Sequence, residues 1–225
     1  MWAAYLIWVV RPLRFLIDMF EFMQRMGSAV CHQMAERSFI FDGMQMPLCA
    51  RCTGIYTGAF FAFCFFFLKK RMECGKPFST KEAVLTALAI VPVGVDGVCS
   101  YLGLWESSPF LRILTGSIVG AVVPGFLLLA GNFDPKGMNT QPVYERTKEL
   151  LFLMAGSVGF GLCLLIGLPI GFIGAVISVA GQILLWGGFV WLILKTMGKN
   201  RKFAYWKISV LISIIGLYVM GGLVP

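Results

Sequence analysis

The chain has 225 residues, 58% hydrophobic and only 13% charged, with a formal net charge of +8 and a mean hydropathy of +0.82. Soluble domains are about a quarter charged, so this composition excludes an ordinary water-soluble enzyme or binding module. The positive charge does not point to nucleic acid: the basic residues sit in short loops between apolar runs, and no stretch interleaves basic and aromatic residues on a polar surface.

Apolar runs long enough to cross roughly 30 Å of hydrocarbon recur along the chain. They are continuous rather than alternating, which selects helices over a barrel. The expected fold is all-α, a polytopic transmembrane helix bundle of about six spans plus an N-terminal amphipathic helix. It is expected to form one integral membrane domain over 1–225 in the lipid bilayer. Within it, 1–30 is an amphipathic or spanning helix, 31–52 a Cys/His segment, 53–131 a three-span core and 150–224 three further spans.

The first residues, "MWAAYLIWVVRPLRF", have the length of a signal sequence. Their apolar run precedes the arginines, however, and no small-x-small site follows, so they read as mature sequence. Arg11, Arg14, Asp18, Glu21 and Arg25 recur at helical spacing and form one charged stripe. Leu13, Phe15, Leu16, Ile17, Met19, Phe20, Phe22 and Met23 cover the other faces. Two placements follow: a helix lying in the interface with its charges toward water, or a spanning helix whose stripe faces a polar cavity.

Next comes "CHQMAERSFIFDGMQMPLCARCTGIYTG", residues 31–58. Cys49 and Cys52 form a CxxC, and Cys31 and His32, the only histidine, add two more donors. Three thiolates and an imidazole suit tetrahedral zinc. Because adjacent residues rarely bind one metal, either Cys31 or His32 is the expected ligand. Asp42-Gly43 is a two-residue hairpin signal, and a hairpin there would fold Cys31 back toward Cys49. Pro47 ends the second strand and leads into the CxxC at a helix N-terminus. That terminus and Arg51 both favour a thiolate. Three chemistries stay open here. One is a metal centre, zinc first and copper(I) second through Met44 and Met46. Another is a redox-active pair, and the third is a plain structural disulfide.

The signature of Cys31, His32, Gln33, Arg37, Ser38, Cys49, Arg51, Cys52, Gly54 and Tyr56 resembles that of an uncharacterised prokaryotic membrane-protein family, domain of unknown function 2085, over about residues 28–131. The resemblance implies a multi-span membrane protein and no particular activity; the last three spans look like an extension beyond it. The CxxC at the end of a membrane helix is also similar to bacterial disulfide-generating quinone reductases. Those enzymes need a second cysteine pair, and here only Cys31 lies on the same side.

The spans expected next are 53–68, the first of them with a start that can reach back to Cys49, then 83–104, 110–131, 150–168, 173–195 and 207–224. Loop 69–82 holds Lys69, Lys70, Arg71, Lys76 and Lys81. Loop 132–149 holds Lys136, Arg146 and Lys148. Loop 195–207 holds Lys195, Lys199, Arg201, Lys202 and Lys207. Loops 105–109 and 169–172 hold no lysine or arginine. The positive-inside rule then puts the three basic loops in the cytoplasm and the Cys/His segment on the extracytoplasmic side, in a cell membrane. The arginines of 1–52 weaken that bias, yet a seventh span over 3–23 would leave the Cys/His segment outside as well.

Asp96 is expected mid-span, where a carboxylate is costly and functional by default. Arg112 and Thr115 stand near the outer end of the next span, and Glu106 in the loop before it. An Asp96–Arg112 pair near the Cys/His layer is therefore expected, with Asp96 and Arg112 as candidate catalytic residues or a structural ion pair. Gln182 reads as making an interhelical hydrogen bond and the glycines of 156–188 as close helix contacts. Cys64, Cys99 and Cys163 read as small packing residues, and Cys74 as a reduced cytoplasmic thiol. Three functions remain in play: a membrane protein with an extracytoplasmic metal centre, a thiol–disulfide oxidoreductase coupled to a quinone, and a transporter using Asp96 and Arg112.

Overall fold

The computed structural model describes residues 2–197 and 205–224, with side chains from residue 14 onward. Lys199, Arg201 and Lys202 of the third basic loop, and the side chain of Arg11, lie outside the described residues. The elements in chain order are α1 (Trp2–Ser28), a 3-10 turn (Ala35–Arg37), β1 (Ser38–Phe41), β2 (Met44–Cys49), α2 (Ala50–Leu68), α3 (Thr80–Tyr101), α4 (Pro109–Asn132), α5 (Thr147–Leu165), α6 (Gly171–Met197) and α7 (Tyr205–Gly221).

The fold is an all-α membrane helix bundle with one small hairpin. Five helices, α2 to α6, are long and apolar enough to cross a membrane. Helix α7 is equally apolar, but its 17 residues give only about 26 Å, at the lower limit for a span. Helix α1 is as long as α6, 27 residues, but its charges keep it out of the apolar group. Arg14, Asp18, Glu21 and Arg25 are all exposed, as are Phe15, Leu16 and Ile17 between them. Arg14, Asp18 and Glu21 show no ion pair or hydrogen bond to another element among the described residues, whereas Arg25 stacks on Tyr218 of α7 and donates to its carbonyl at 3.2 Å.

Several boundaries differ from the sequence reading by two or three residues, and those of α3 have local reasons. Helix α3 starts earlier because Ser79 and Glu82 form a capping box: the Ser79 backbone N–H donates to Glu82 Oε2 at 3.0 Å, and the Glu82 N–H to Ser79 Oγ. It ends earlier because Gly103, at φ +70°, turns the chain. Asp96 consequently sits in the last turns of α3, at the thiol end, and not mid-span.

Helices α2 and α4 form the centre. A Cβ on Gly116 would lie 2.4 Å from the Arg51 carbonyl oxygen, and one on Gly120 2.0 Å from that of Ile55. Gly54 and Gly58 of α2 meet the α4 backbone near Ser117 in the same way. The two backbones touch through glycines spaced four apart, as small-residue packing in lipid requires. Gly181 brings α6 onto α2 at the Tyr56 carbonyl. The glycine-rich run 156–188 is less uniform than its composition implies, because Gly156 and Gly159 face open space.

The basic-loop end is closed by polar contacts. Arg71, 4% exposed, pairs with Glu145 and Glu149, each at 2.6 Å, which ties the loop after α2 to the start of α5. Lys195 donates to Asn132 Oδ1 at 2.5 Å, and Asn132 in turn donates to the Met72 carbonyl. Cys74 is fully buried there, and burial pushes its thiol up to about 11. Gln182 donates to the Met26 carbonyl at 2.6 Å, so its interhelical bond joins α6 to α1.

Candidate functional site

Three short devices bring the thiols together. Asp42 and Gly43 adopt φ +50° and +76°, the paired left-handed turn of a tight hairpin. Strands β1 and β2 pair from Phe41↔Met44 to Ser38↔Cys49 across one irregularity. Gln33, itself at φ +48°, then fastens the loop after α1 to β2. Its side-chain amide donates to the carbonyls of Gln24 and Pro47, both at 2.8 Å, while its own carbonyl accepts from Gln45. Cys31 is buried and His32, its neighbour, is exposed.

The result is a three-thiol cluster. The sulfurs of Cys31, Cys49 and Cys52 all lie within 4.8 Å of one another, and none of the seven cysteines is in a disulfide. Cys31, 8% exposed, accepts hydrogen bonds from the backbone N–H groups of Cys49 at 3.3 Å and Gln33 at 3.5 Å. Cys49 is the N-cap of α2. Hydrogen bonds from the Cys31 and Cys52 thiols hold its own thiol well below the ordinary range, while the same Cys49 contact pushes Cys31 up. His32 lines the same cleft, of about 200 Å³, with Arg37, Arg51 and Arg112, but its ring is not part of the cluster. Met44 is 48% exposed and Met46 is 2% exposed in the apolar contact between α1, α6 and β2.

The ion pair of this layer differs from the expected one. Asp96, 2% exposed, is paired with Arg51, not Arg112. Trp105 Nε1 donates to its other oxygen at 3.4 Å. Arg112, 5% exposed, turns back to its own helix start: Nε donates to the Ser107 carbonyl at 2.9 Å, and a terminal nitrogen to Ser100 Oγ at 3.2 Å. Thr115 bonds the Leu111 carbonyl within its helix. Sequence reasoning missed the roles of Gln24, Gln33, Gln45 and Trp105. It could have found Arg51, since the start of α2 and the end of α3 must share a layer if neighbouring helices are antiparallel.

A thiol cluster and an arginine-lined cleft at one end of an apolar helix bundle define a multi-span membrane protein with a polar site at one surface. A family model described as "Predicted membrane protein (DUF2085)" matches residues 31–126. An uncharacterised protein of Methanocaldococcus jannaschii is 38% identical over 101 residues, 45% of this chain and 63% of that protein. An uncharacterised protein of Methanothermobacter thermautotrophicus is 37% identical over 91 residues, 40% of this chain and 78% of that protein. The chain belongs to this family of uncharacterised membrane proteins. The matched region begins at Cys31 and takes in all three clustered thiols, Arg51, Asp96 and Arg112, whereas α5, α6 and α7 lie beyond it. No solved structure matches the chain.

Proposed function

We propose that the protein carries a zinc centre on Cys31, Cys49 and Cys52 at the extracytoplasmic face of the membrane. The observation that supports this is the convergence of three sulfurs within 4.8 Å. Zinc–sulfur bonds of about 2.3 Å place tetrahedral thiolates about 3.8 Å apart, so the cluster accepts the ion with small side-chain movements. The backbone N–H groups on Cys31 and the N-terminus of α2 favour thiolates, the form that binds metal. A bound zinc would supply Lewis-acid polarisation of an oxygen ligand at its fourth position. His32, on the rim of the cleft, is the residue placed to complete the ligand set or to exchange protons with what binds there. The orientation follows from the basic loops at the opposite end.

Elemental analysis of the purified protein tests this beside a Cys49→Ser/Cys52→Ser variant. Zinc near one per chain, absent from the variant, is the expected result. Copper in its place would redirect the chemistry to softer ligands. No metal in a wild-type preparation made without chelator would sink the proposal.

The depressed Cys49 thiol supports a second reading, a thiol–disulfide oxidoreductase. Oxidation of the Cys49 thiolate and the Cys52 thiol would join their sulfurs and release one proton; a membrane quinone would take the two electrons, that proton and a second one from water to become the quinol. A metal-free protein whose two thiols resist alkylation until reduced would favour it.

A further inference from the structure

Arg112 is buried deep in the thiol layer with no carboxylate within 4.0 Å among the described residues; every ion pair found there involves Arg51 or Arg71. A guanidinium desolvated without a paired counter-charge is costly, and intramembrane ionisable groups of this kind are functional by default. Its surroundings add positive charge. Arg37 and Arg51 line the same thiol cleft, and Arg51 keeps a buried Nε–H without an acceptor. On its other side Arg112 lines a second cavity of about 480 Å³ with Arg37, Ser100 and Trp105. The two cavities share Arg37 and Arg112, so an occupant of the larger one reaches the thiol cluster past both guanidinium groups.

Glu36 and Glu106 also line the larger cavity, but both are exposed at its mouth. Water screens them, whereas Arg112 sits where screening is weak. Asp96 is already paired with Arg51, so Arg37 and Arg112 leave the floor positive even against one net negative charge on the thiol centre. Planar guanidinium forks match oxyanions, above all phosphate, which they hold through paired charge-assisted hydrogen bonds.

We infer that Arg112, with Arg37 and the spare donor of Arg51, forms a clamp for a phosphate group, presented by a lipid headgroup or as free phosphate, beside the thiol cluster. This names the ligand class of the proposed metal site and rests on that reading for the chemistry the ligand meets. The ammonium or hydroxyl groups of a headgroup would lie outward, toward Glu36 and Glu106.

The test is calorimetric titration of the full-length protein in an uncharged detergent, with metal content measured on the same samples. The probes are inorganic phosphate and, separately, short-chain dihexanoyl phosphatidic acid below its micellar concentration. At least one probe should bind. Arg112→Gln should weaken binding roughly tenfold or more, as loss of a charge-assisted bond implies. Arg112→Lys should weaken it less, and Lys148→Gln, at the opposite end, should leave it unchanged. Binding of phosphate itself identifies a free-anion site, and binding of the lipid alone a headgroup site; both support the clamp. Should Arg112→Gln fail to fold, Arg37→Gln on the surface turn carries the comparison. Neither probe binding wild type, or both variants binding as wild type does, would overturn the inference. Metal without anion binding removes the clamp and leaves the metal centre. Anion binding without metal does the reverse.

Discussion

Arg51→Gln is the substitution that most directly probes how the thiol turn is held. Arg51 lies between Cys49 and Cys52, and its guanidinium pairs with Asp96, whose side chain is 2% exposed against 20% for Arg51. Removing one member of a buried pair costs about 3–5 kcal/mol because the other charge stays unpaired and desolvated. Arg51 is partly solvated and Trp105 still donates to Asp96, so a loss of about 2–3 kcal/mol is expected. Asp96→Asn should cost less, about 1–2 kcal/mol, since the charge it leaves behind faces the cleft and its water. The double variant should lose less than the sum, with a coupling of about 1–3 kcal/mol. Reversible unfolding in mixed micelles of graded SDS content measures all three. Additive losses would refute the account, because they would mean that the two groups act independently and that the pair does not fasten α2 to α3.

Three further outcomes follow from named contacts. Gly116→Ala and Gly120→Ala put a methyl against backbone oxygens at 2.4 and 2.0 Å and should each cost about 1–3 kcal/mol. Gly94→Ala, which meets nothing within 4 Å, should be neutral or slightly stabilising; equal thermal midpoints for all three would contradict the close helix contact. Gly43→Ala strains a residue at φ +76° without touching a neighbour, so it should lower stability by about 1–2 kcal/mol while metal content stays at the wild-type level. The Cys49 thiol is held below its ordinary value of 9.0 by the Cys31 and Cys52 hydrogen bonds. A depressed thiol stays ionised as pH falls from 9 toward neutrality, so alkylation of metal-free protein at Cys49, mapped by mass spectrometry, should be nearly flat between pH 8 and pH 6. A tenfold drop per pH unit, as for an ordinary cysteine, would show that the hydrogen bonds do not shift it.

Much of this was legible in the residues. Continuous apolar runs gave the helices, and Asp42-Gly43 the hairpin. These are local rules that the bundle does not override. Pro47, expected to end the second strand, lies inside β2, which pairs on to Cys49 directly before α2. What the residues did not yield depends on direction. Cys31 and His32 are neighbours, yet only Cys31 enters the cluster, while Gln33 after them takes the left-handed backbone from which its side chain fastens this loop to β2. A lone Gln in a polar segment gives no sign that it will adopt φ +48°. Likewise, Arg51 and Arg112 share a layer, and spacing alone cannot say which one reaches Asp96. The glycine contact between α2 and α4 sets how the helices are rotated, and this rotation leaves Arg112 facing Ser107 and Ser100 instead.

That choice of partner has a consequence for charge. Asp96 neutralises Arg51, so the floor of the cleft keeps the positive charge of Arg112, with Arg37 beside it. Three thiolates around a divalent ion would carry one net negative charge, and Cys49, the thiol held most easily in its ionised form, lines the same cleft. Buried Arg112, half-buried Arg37 and the thiolate centre therefore favour each other electrostatically: two guanidinium charges against one net negative charge leave a surplus of positive charge for one incoming oxyanion. An arginine committed to Asp96 could not do this. The pairing of Asp96 with Arg51 is what frees Arg112 to meet a ligand at the edge of the thiol cluster.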